Sequence, residues 1–216
     1  MSASSLEGQP DTVADEKDDL NLLEHLRPAL LSLFWLTLIT GVLFPVTLWG
    51  LGRILFPDQA TGSLEQRKGV VVGSRLIGQA FTRPEYFHPR PSAAGDGYDG
   101  ASSGATNLGP DNPKLVRDGR QFAADYRNAN ALAPNTALPI DAVTRSASGL
   151  DPHISPANAA LQVARVARAR GLDEAIVRRL VSEQTQGRQL GFLGEPRVSV
   201  LALNLALDRM GAPHAR

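Results

Sequence analysis

The hydrophobic positions of this chain are distributed very unevenly. Residues 28–52 form one run without a charged side chain, bracketed by Arg27 and Arg53 and rich in Leu, Ile, Val, Phe and Trp. At a rise of ~1.5 Å per residue, a helix of this length reaches roughly 37 Å, which exceeds the ~30 Å hydrocarbon core of a bilayer. The pattern therefore predicts a helix that crosses a membrane once.

A buried core helix and a cleaved signal peptide are the alternatives to this span. A core helix would carry a polar face, but the polar side chains of the run, Ser32, Thr37, Thr40 and Thr47, do not form one. A signal peptide has a basic start, a shorter apolar region and a small-residue cleavage site, whereas the segment before Arg27 is acidic. Both alternatives are disfavoured.

Two residues inside the run interrupt a regular helix. Gly41 and Pro45 would weaken a helix in water, but membrane helices tolerate both where neighbouring groups satisfy the freed backbone. We expect a kink near Pro45 and packing of a neighbouring helix at Gly41.

Shorter patterns follow the apolar run. Residues 56–67 are typical of a polar connector, and residues 68–81 have the β-branched content and glycine spacing of a strand or hairpin. A short strand is predicted near residues 142–146. Residues 84–113 contain five prolines and five glycines, and long loops of this kind are functional or disordered. Their interleaved aromatic residues indicate an ordered loop.

Capping residues mark the helices of the second half. Asn112-Pro113 and Ser155-Pro156 each place a capping side chain before a proline at the first helical position, and Asp173 opens a third helix. In the second helix, Ala159, Ala160, Val163, Val166 and Ala167 are expected to face inward and Arg165 and Arg168 outward. In the third, the inward residues are Ile176, Val177, Leu180 and Val181. The alternating leucines after Pro196 are ambiguous, and their Leu and Ala content favours a helix.

These elements predict an α+β fold: a single N-terminal transmembrane helix followed by one mainly helical soluble domain with a small β-sheet. We expect a disordered acidic arm at 1–26, the span at 27–53 and the soluble domain at 54–216.

The residues before Pro28 carry a net charge of −5 and those from Arg53 onward +5. Without a long basic run, nucleic acid is not an expected partner. Charge does not decide the orientation, because basic residues near the two ends of the span almost balance.

The sequence offers little enzymatic chemistry. GDGYDG at 95–100 matches a dinucleotide-binding pattern but lies in the proline-glycine loop and not between a strand and a helix. Ser102 and Ser103 are read as turn residues, since the chain has no G-x-S-x-G elbow. The four histidines are scattered, cysteine is absent, and no phosphate-binding loop occurs. We therefore predict no catalytic residue, no metal site and no cofactor bound by this chain alone.

Five motifs occur in a fixed order behind the apolar run: SRLIGQAF at 74–81, YFHPRPSA at 86–93, GASSGATNLGP at 100–110, SGLDPHISPANA at 148–159 and GEPRVSVLALNLALD at 194–208. Together they resemble the C subunit of the Kdp-type potassium-transporting ATPase of bacteria. The likeness runs from about Leu26 to Asp208. It departs in the longer acidic arm and in Ser199, which stands where an Asn is typical.

The resemblance implies an accessory, non-catalytic subunit of a high-affinity potassium import complex of the inner membrane. Such a subunit is needed for assembly and acts as a catalytic chaperone that raises the ATP affinity of the P-type ATPase subunit. Its expected partners are that subunit, a pore-forming potassium-binding subunit, a small single-helix subunit and membrane lipid. ATP and potassium are then handled by the complex. The family topology places the N-terminus in the cytoplasm and the main domain in the periplasm.

Two surfaces are predicted to meet a partner. The first belongs to the proline-glycine loop and contains Phe81, Tyr86, Phe87, Arg90, Asn107 and Leu108, which have the aromatic, Arg and amide groups that interfaces favour. These residues would otherwise only hold the loop onto its own domain. The second is a polar turn with Gln184, Gly187, Gly194 and Glu195. The competing function is a membrane-anchored periplasmic ligand-binding or hydrolase module that acts alone.

Overall fold

The computed structural model describes residues 22–67 and 69–211. Residues 1–21 of the predicted disordered arm lie outside the described residues, and its last five residues, 22–26, are helical and not disordered. The chain divides into two compact units, and the boundary between them falls after Leu55. The boundary expected from the charge pattern was two residues earlier, at Arg53.

The first unit is one continuous helical rod. Helix α1 (Leu22–Thr37) passes into a π-helical turn (Leu38–Leu43) and then into α2 (Phe44–Leu55). Residues 24–55 are long and apolar enough to cross a membrane, and an 18-residue stretch within them has a mean hydropathy of 2.1. The π-helical turn lies where Gly41 and Pro45 predicted a disturbance, because Pro45 has no N–H to continue the α-helical pattern.

The second unit combines short strands with packed helices, which confirms the predicted α+β class. Its elements in chain order are α3 (Pro57–Ala60), β1 (Leu64–Arg67), β2 (Val70–Ser74), α4 (Pro113–Asn130), α5 (Ile140–Val143), β3 (His153–Ile154), α6 (Pro156–Arg170), α7 (Glu174–Gln184), β4 (Thr185–Gln186), β5 (Arg197–Ser199) and α8 (Val200–Arg209).

The strands form two small antiparallel sheets. β1 and β2 make a hairpin, and β5 lies between β3 and β4, with His153 opposite Ser199 and Thr185 opposite Val198. The hairpin was predicted, but β1 lies in the segment expected to be a connector. The strand expected near residues 142–146 was wrong. The α5 turn occupies 140–143 instead, since the extended Pro139 precedes it as N-cap.

The predicted helix starts are confirmed by their caps. The side chains of Asn112, Ser155 and Asp173 accept hydrogen bonds from the backbone N–H of Lys114, Asn158 and Ala175. The ambiguous C-terminal segment is a helix, as expected, and Ser199 caps it by accepting from the N–H of Ala202 at 3.4 Å. The Ser that departs from the usual Asn thus keeps a capping oxygen at this position.

The hydrophobic core lies between α6, α7, α8 and the three-stranded sheet. Its completely buried members include Phe87, Val163, Val166, Val177, Val198, Leu203 and Leu207. Three predicted orientations were wrong. Ala160 and Ile176 are exposed, and Arg165 is buried. Arg165 turns inward because its guanidinium donates to main-chain carbonyls of the proline-glycine loop.

Candidate docking surface

The centre of the domain is an irregular segment, residues 84–88, whose main chain is held by side chains. Five consecutive carbonyls, from Pro84 to His88, each accept a hydrogen bond from a side chain of α6 or α8. Arg165 donates to the carbonyls of Pro84 at 2.6 Å and Tyr86 at 2.9 Å, and Arg170 donates to that of Glu85 at 2.7 Å. We call this arrangement the carbonyl clamp. It gives an irregular segment the hydrogen bonds that a sheet would otherwise supply.

Two buried amides complete the clamp. The N–H of Phe87 donates to Asn204 Oδ1 at 2.8 Å, and Asn204 Nδ2 donates back to the carbonyl of Phe87 at 3.0 Å. Gln162 pairs with His88 in the same way, at 2.7 and 3.0 Å. Asn204 and Gln162 are almost completely buried, so each amide would be costly without these partners.

A second layer of polar groups positions Gln162. Its Nε2 also donates to Asn158 Oδ1 at 2.8 Å, and the Tyr126 hydroxyl donates to the same oxygen at 2.8 Å. The Asp141 carboxylate accepts from Asn158 Nδ2 and from the N–H and hydroxyl of Ser155. Burial raises the pKa of the Tyr126 hydroxyl, and the charge of Asp141 adds to that effect. Tyr126 therefore stays a neutral donor.

The clamp presents Tyr86 at the edge of a cavity of about 430 Å³. The guanidinium groups of Arg83 and Arg170 lie 4.9 and 5.0 Å from the centre of its ring. Phe81 packs beside the ring at a centroid distance of 5.5 Å. Arg67, Leu201 and Asp208 also line the space, which we call the Tyr86 cavity. Its rim thus combines an aromatic surface with two exposed arginines, Arg67 and Arg83.

Asp208 connects the groups of this cavity. Its carboxylate accepts from Arg67 at 2.7 Å, Arg170 at 2.9 Å and the Tyr86 hydroxyl at 3.2 Å. Partial burial alone would raise the pKa of Asp208. The hydrogen bonds and charge of Arg170, with the hydrogen bonds of Tyr86 and Arg67, hold the pKa below its ordinary value. Glu85 binds Arg83 at 3.1 Å, so two carboxylates face the three arginines Arg67, Arg83 and Arg170. One positive charge is left over, and the rim suits an acidic or carbonyl-rich partner segment.

The residues of the first predicted surface do not lie together in the structure, and four of them line three different grooves. Phe81 and Tyr86 meet at the Tyr86 cavity, and Phe81 and Arg90 share a neighbouring groove. Arg90 is bonded to Asp151 at 2.9 Å. Leu108 lines a different groove beside α4, and Asn107 is exposed with a φ of 49°.

Phe87 requires a correction. Its side chain has no exposed surface and belongs to the core, so it has nothing to offer a partner in this conformation. Its neighbour Tyr86 lies instead at the Tyr86 cavity, where its hydroxyl donates to Asp208.

The second predicted surface contains apolar residues that sequence reasoning missed. Between Gln184 and Glu195, a tight turn exposes Leu190, Phe192 and Leu193 by 82, 68 and 47%. We call residues 188–195 the apolar turn. The sequence feature that could have revealed this turn is the run QLGFLG, six residues without a charge. Such a run resembles a core segment more than a surface.

The apolar turn has a fixed shape. Gln189 and Leu193 exchange two backbone hydrogen bonds of 2.9 Å, and Arg188 binds both carboxylate oxygens of Glu195 at 2.8 Å. Leu190 adopts a φ of 52°, which leucine rarely does. Gly194 lies within the turn and Gly187 just before it, and both are exposed. A rigid apolar knob of this kind is typical of a contact that is prepared for a partner.

Ser103 and the GDGYDG motif at 95–100 are both engaged in hydrogen bonds with the main chain. The Ser103 hydroxyl donates to the carbonyl of Ser148 at 2.9 Å, and Asp99 accepts from the N–H of Ala101 at 2.9 Å. Within residues 22–67 and 69–211, no group of three or more His, Asp or Glu side chains is arranged to hold a metal ion.

Comparison with known proteins gives the family. Residues 26–209 match the family described as KdpC: K+-transporting ATPase, c chain. The chain is 56% identical over 187 residues to the potassium-transporting ATPase KdpC subunit of Beijerinckia indica, covering 87% of this chain and 94% of that protein. It is 57% identical over 189 residues to the subunit of Rhodospirillum rubrum, covering 87 and 96%. The subunit of Mycobacterium bovis is 53% identical over 186 residues, covering 86 and 98%. The chain therefore belongs to the C-chain family of potassium-transporting ATPases.

Proposed function

We propose that this chain is an accessory subunit of a high-affinity, ATP-driven potassium import complex. The observation that carries the proposal is the family match over residues 26–209, together with relatives that are named as subunits of potassium-transporting ATPases. The subunit is needed for assembly of the complex. It acts as a catalytic chaperone that raises the ATP affinity of the P-type ATPase subunit.

The chain itself carries out no chemical step in this proposal. The pore-forming subunit binds potassium, the P-type subunit hydrolyses ATP, and a small single-helix subunit completes the assembly. Support comes from the carbonyl clamp, whose polar side chains are occupied with the protein's own main chain. They hold a surface in place.

The helical rod anchors the chain in the inner membrane, with a cytoplasmic N-terminus and a periplasmic domain. The length and hydropathy of residues 24–55 support a single span. A periplasmic domain cannot touch cytoplasmic ATP. Its effect on ATP affinity is therefore a coupling between distant sites: the domain binds one conformation of the complex better than another.

Two surfaces of the domain suit the pore-forming subunit. The Tyr86 cavity offers an aromatic and cationic rim, and the apolar turn offers a preformed knob. Interfaces are enriched in such Tyr, Phe and Arg groups. Asn107, Leu108 and Arg90 extend the first surface along the loop.

Co-purification tests this function directly. We expect an affinity tag on this chain to recover both large subunits from membranes in mild detergent, together with potassium-stimulated ATPase activity. Recovery of the chain alone from cells that make the other subunits would contradict the proposal. Turnover of a substrate by the isolated chain would favour a module that acts alone.

A further inference from the structure

The π-helical turn leaves one backbone carbonyl without an amide donor. The N–H of Phe44 donates to the carbonyl of Ile39, one position further back than in an α-helix. In this register the next carbonyl, that of Thr40, lies opposite the nitrogen of Pro45. Proline has no N–H, so the Thr40 carbonyl receives no bond from it. The Thr40 hydroxyl is already engaged, since it donates to Leu36 at 2.7 Å.

This carbonyl lies at the worst depth for an unpaired acceptor. Thr40 is the midpoint of the uncharged run 28–52, so in a single span it is close to the centre of the hydrocarbon. Water is absent there and acyl chains offer no donor. A backbone carbonyl at this depth needs a partner from protein.

The rod has a groove of the kind into which a helix packs, and it reaches the depth of this carbonyl. The groove has a volume of about 440 Å³ and is lined by Leu30, Leu33, Phe34, Thr37, Leu38 and Val42, and Gly41 adjoins it at the Thr37 side chain. At Gly41 an added Cβ would meet only Thr37, at 3.8 Å, so the backbone beside Thr40 is accessible.

We propose that this face, which we call the Gly41 face, receives a transmembrane helix of another subunit. That helix presents a Ser, Thr, Asn or Gln side chain, which donates a hydrogen bond to the Thr40 carbonyl. Small residues allow the close approach, and interhelical hydrogen bonds stabilise such pairs. A second copy of this chain fits less well, because a symmetric pair would bring two acceptor carbonyls together. The inference rests on the proposed membrane-spanning role and adds the contact face and the chemistry of its partner.

Photocrosslinking in the assembled complex tests the face. A benzophenone amino acid at Val42, in the groove, should capture a transmembrane segment of another subunit, within one helical turn of a Ser, Thr, Asn or Gln. The matched position is Phe44, which has a similar depth and exposure and, two residues on from Val42, faces away from it; it should label lipid. Capture at Val42 of lipid only, of a second copy, or of a segment without such a donor would overturn the proposal.

A substitution pair gives an independent measurement. Gly41→Leu fills the notch, whereas Gly50→Leu adds the same side chain outside the face, where nothing lies within 4 Å. We expect Gly41→Leu to lower recovery of the other subunits about tenfold and Gly50→Leu to leave it unchanged, with equal amounts of both variants in the membrane. Equal recovery with both variants would overturn the inference. Failure of the wild-type chain to recover any subunit would instead contradict the proposed function.

Discussion

Gln162 of α6 and Asn204 of α8 make the same two-bond pair with adjacent residues of one irregular segment. Gln162 holds the main chain of His88, and Asn204 holds that of Phe87. The two helices are thereby joined through a segment that belongs to neither. Removing one amide leaves several buried groups without partners, which makes the clamp a sensitive point for stability.

Gln162→Leu should destabilise the domain by roughly 2–4 kcal/mol, because each buried group left unpaired costs about 1–3 kcal/mol. The groups that lose this partner are the main-chain N–H and carbonyl of His88 and Arg165 Nη2, whereas Asn158 Oδ1 keeps the Tyr126 hydroxyl. Urea unfolding of the full chain in mild detergent measures the change. Gln121→Leu is the matched control, since Gln121 is exposed on α4, and it should shift stability by less than about 0.5 kcal/mol. Equal effects of the two variants would contradict the clamp.

Gly149→Ala should also be destabilising, for a steric reason. Gly149 has a φ of 69°, and an added Cβ would lie 2.6 Å from the Ala94 nitrogen and 2.7 Å from the Gly104 carbonyl oxygen. Both are backbone atoms, so relieving the clash requires a movement of the main chain. We expect a loss of about 2 kcal/mol or more from strain and displacement. Gly187→Ala meets nothing within 4 Å and serves as the control. An unchanged unfolding midpoint for Gly149→Ala would show that the loop can move aside.

Features that depend on neighbouring residues, such as the helix caps, could be predicted from the sequence. Features that depend on contacts between distant residues, such as the burial of Arg165, could not. Caps at Asn112, Ser155 and Asp173 depend on neighbouring residues, so their spacing was sufficient. Arg165 was assigned to the surface because its partners, the carbonyls of Pro84 and Tyr86, are about 80 positions away in the chain. Main-chain acceptors also have no sequence signature.

The docking surface could likewise be predicted only in part from the sequence. Phe87 and Tyr86 are adjacent aromatic residues, and only the path of the clamped segment decides which one is buried. The apolar turn was missed because leucine and phenylalanine ordinarily indicate core. Its exposure follows from a tight turn, which is stabilised by the positive φ of Gly191 and Gly194 and by the Arg188–Glu195 pair.

His88 predicts a pH dependence of stability. Burial and the nearby charge of Arg165 lower the pKa of His88, although its contact with the Arg83 carbonyl opposes the shift. The unfolded chain then binds more protons than the folded one as pH falls through and below the ordinary pKa of about 6.5. Stability should therefore decrease on acidification from pH 7 to 5.

His88→Gln isolates this effect. The carboxylates whose pKa values are lowered, including those of Asp151 and Asp208, lose their contributions only at more acidic pH. The variant should show a flatter stability profile between pH 7 and 5, whatever its stability at pH 7. A profile parallel to that of the wild type would assign the acid sensitivity to other groups.

The apolar turn should matter for assembly and not for folding. Leu190→Ser with Phe192→Ser changes two side chains that are 82 and 68% exposed, so the free energy of unfolding should change by less than about 0.5 kcal/mol. Recovery of the partner subunits should fall about tenfold or more if the knob fills a socket. Ile176→Ser, at a residue of α7 that is 44% exposed and belongs to neither proposed surface, is the control and should recover them normally. Normal recovery with the double variant would exclude the knob from the interface.

The central claim is that this chain changes ATP affinity from a distance. The direct test is the ATP concentration that gives half-maximal hydrolysis, measured on a mixture of the purified ATPase and pore-forming subunits in mild detergent before and after this chain is added. The coupling predicts that adding the chain lowers this concentration about five- to 150-fold, the usual range for allosteric effects. An identical value in both preparations, with equal amounts of active ATPase subunit, would contradict the claim.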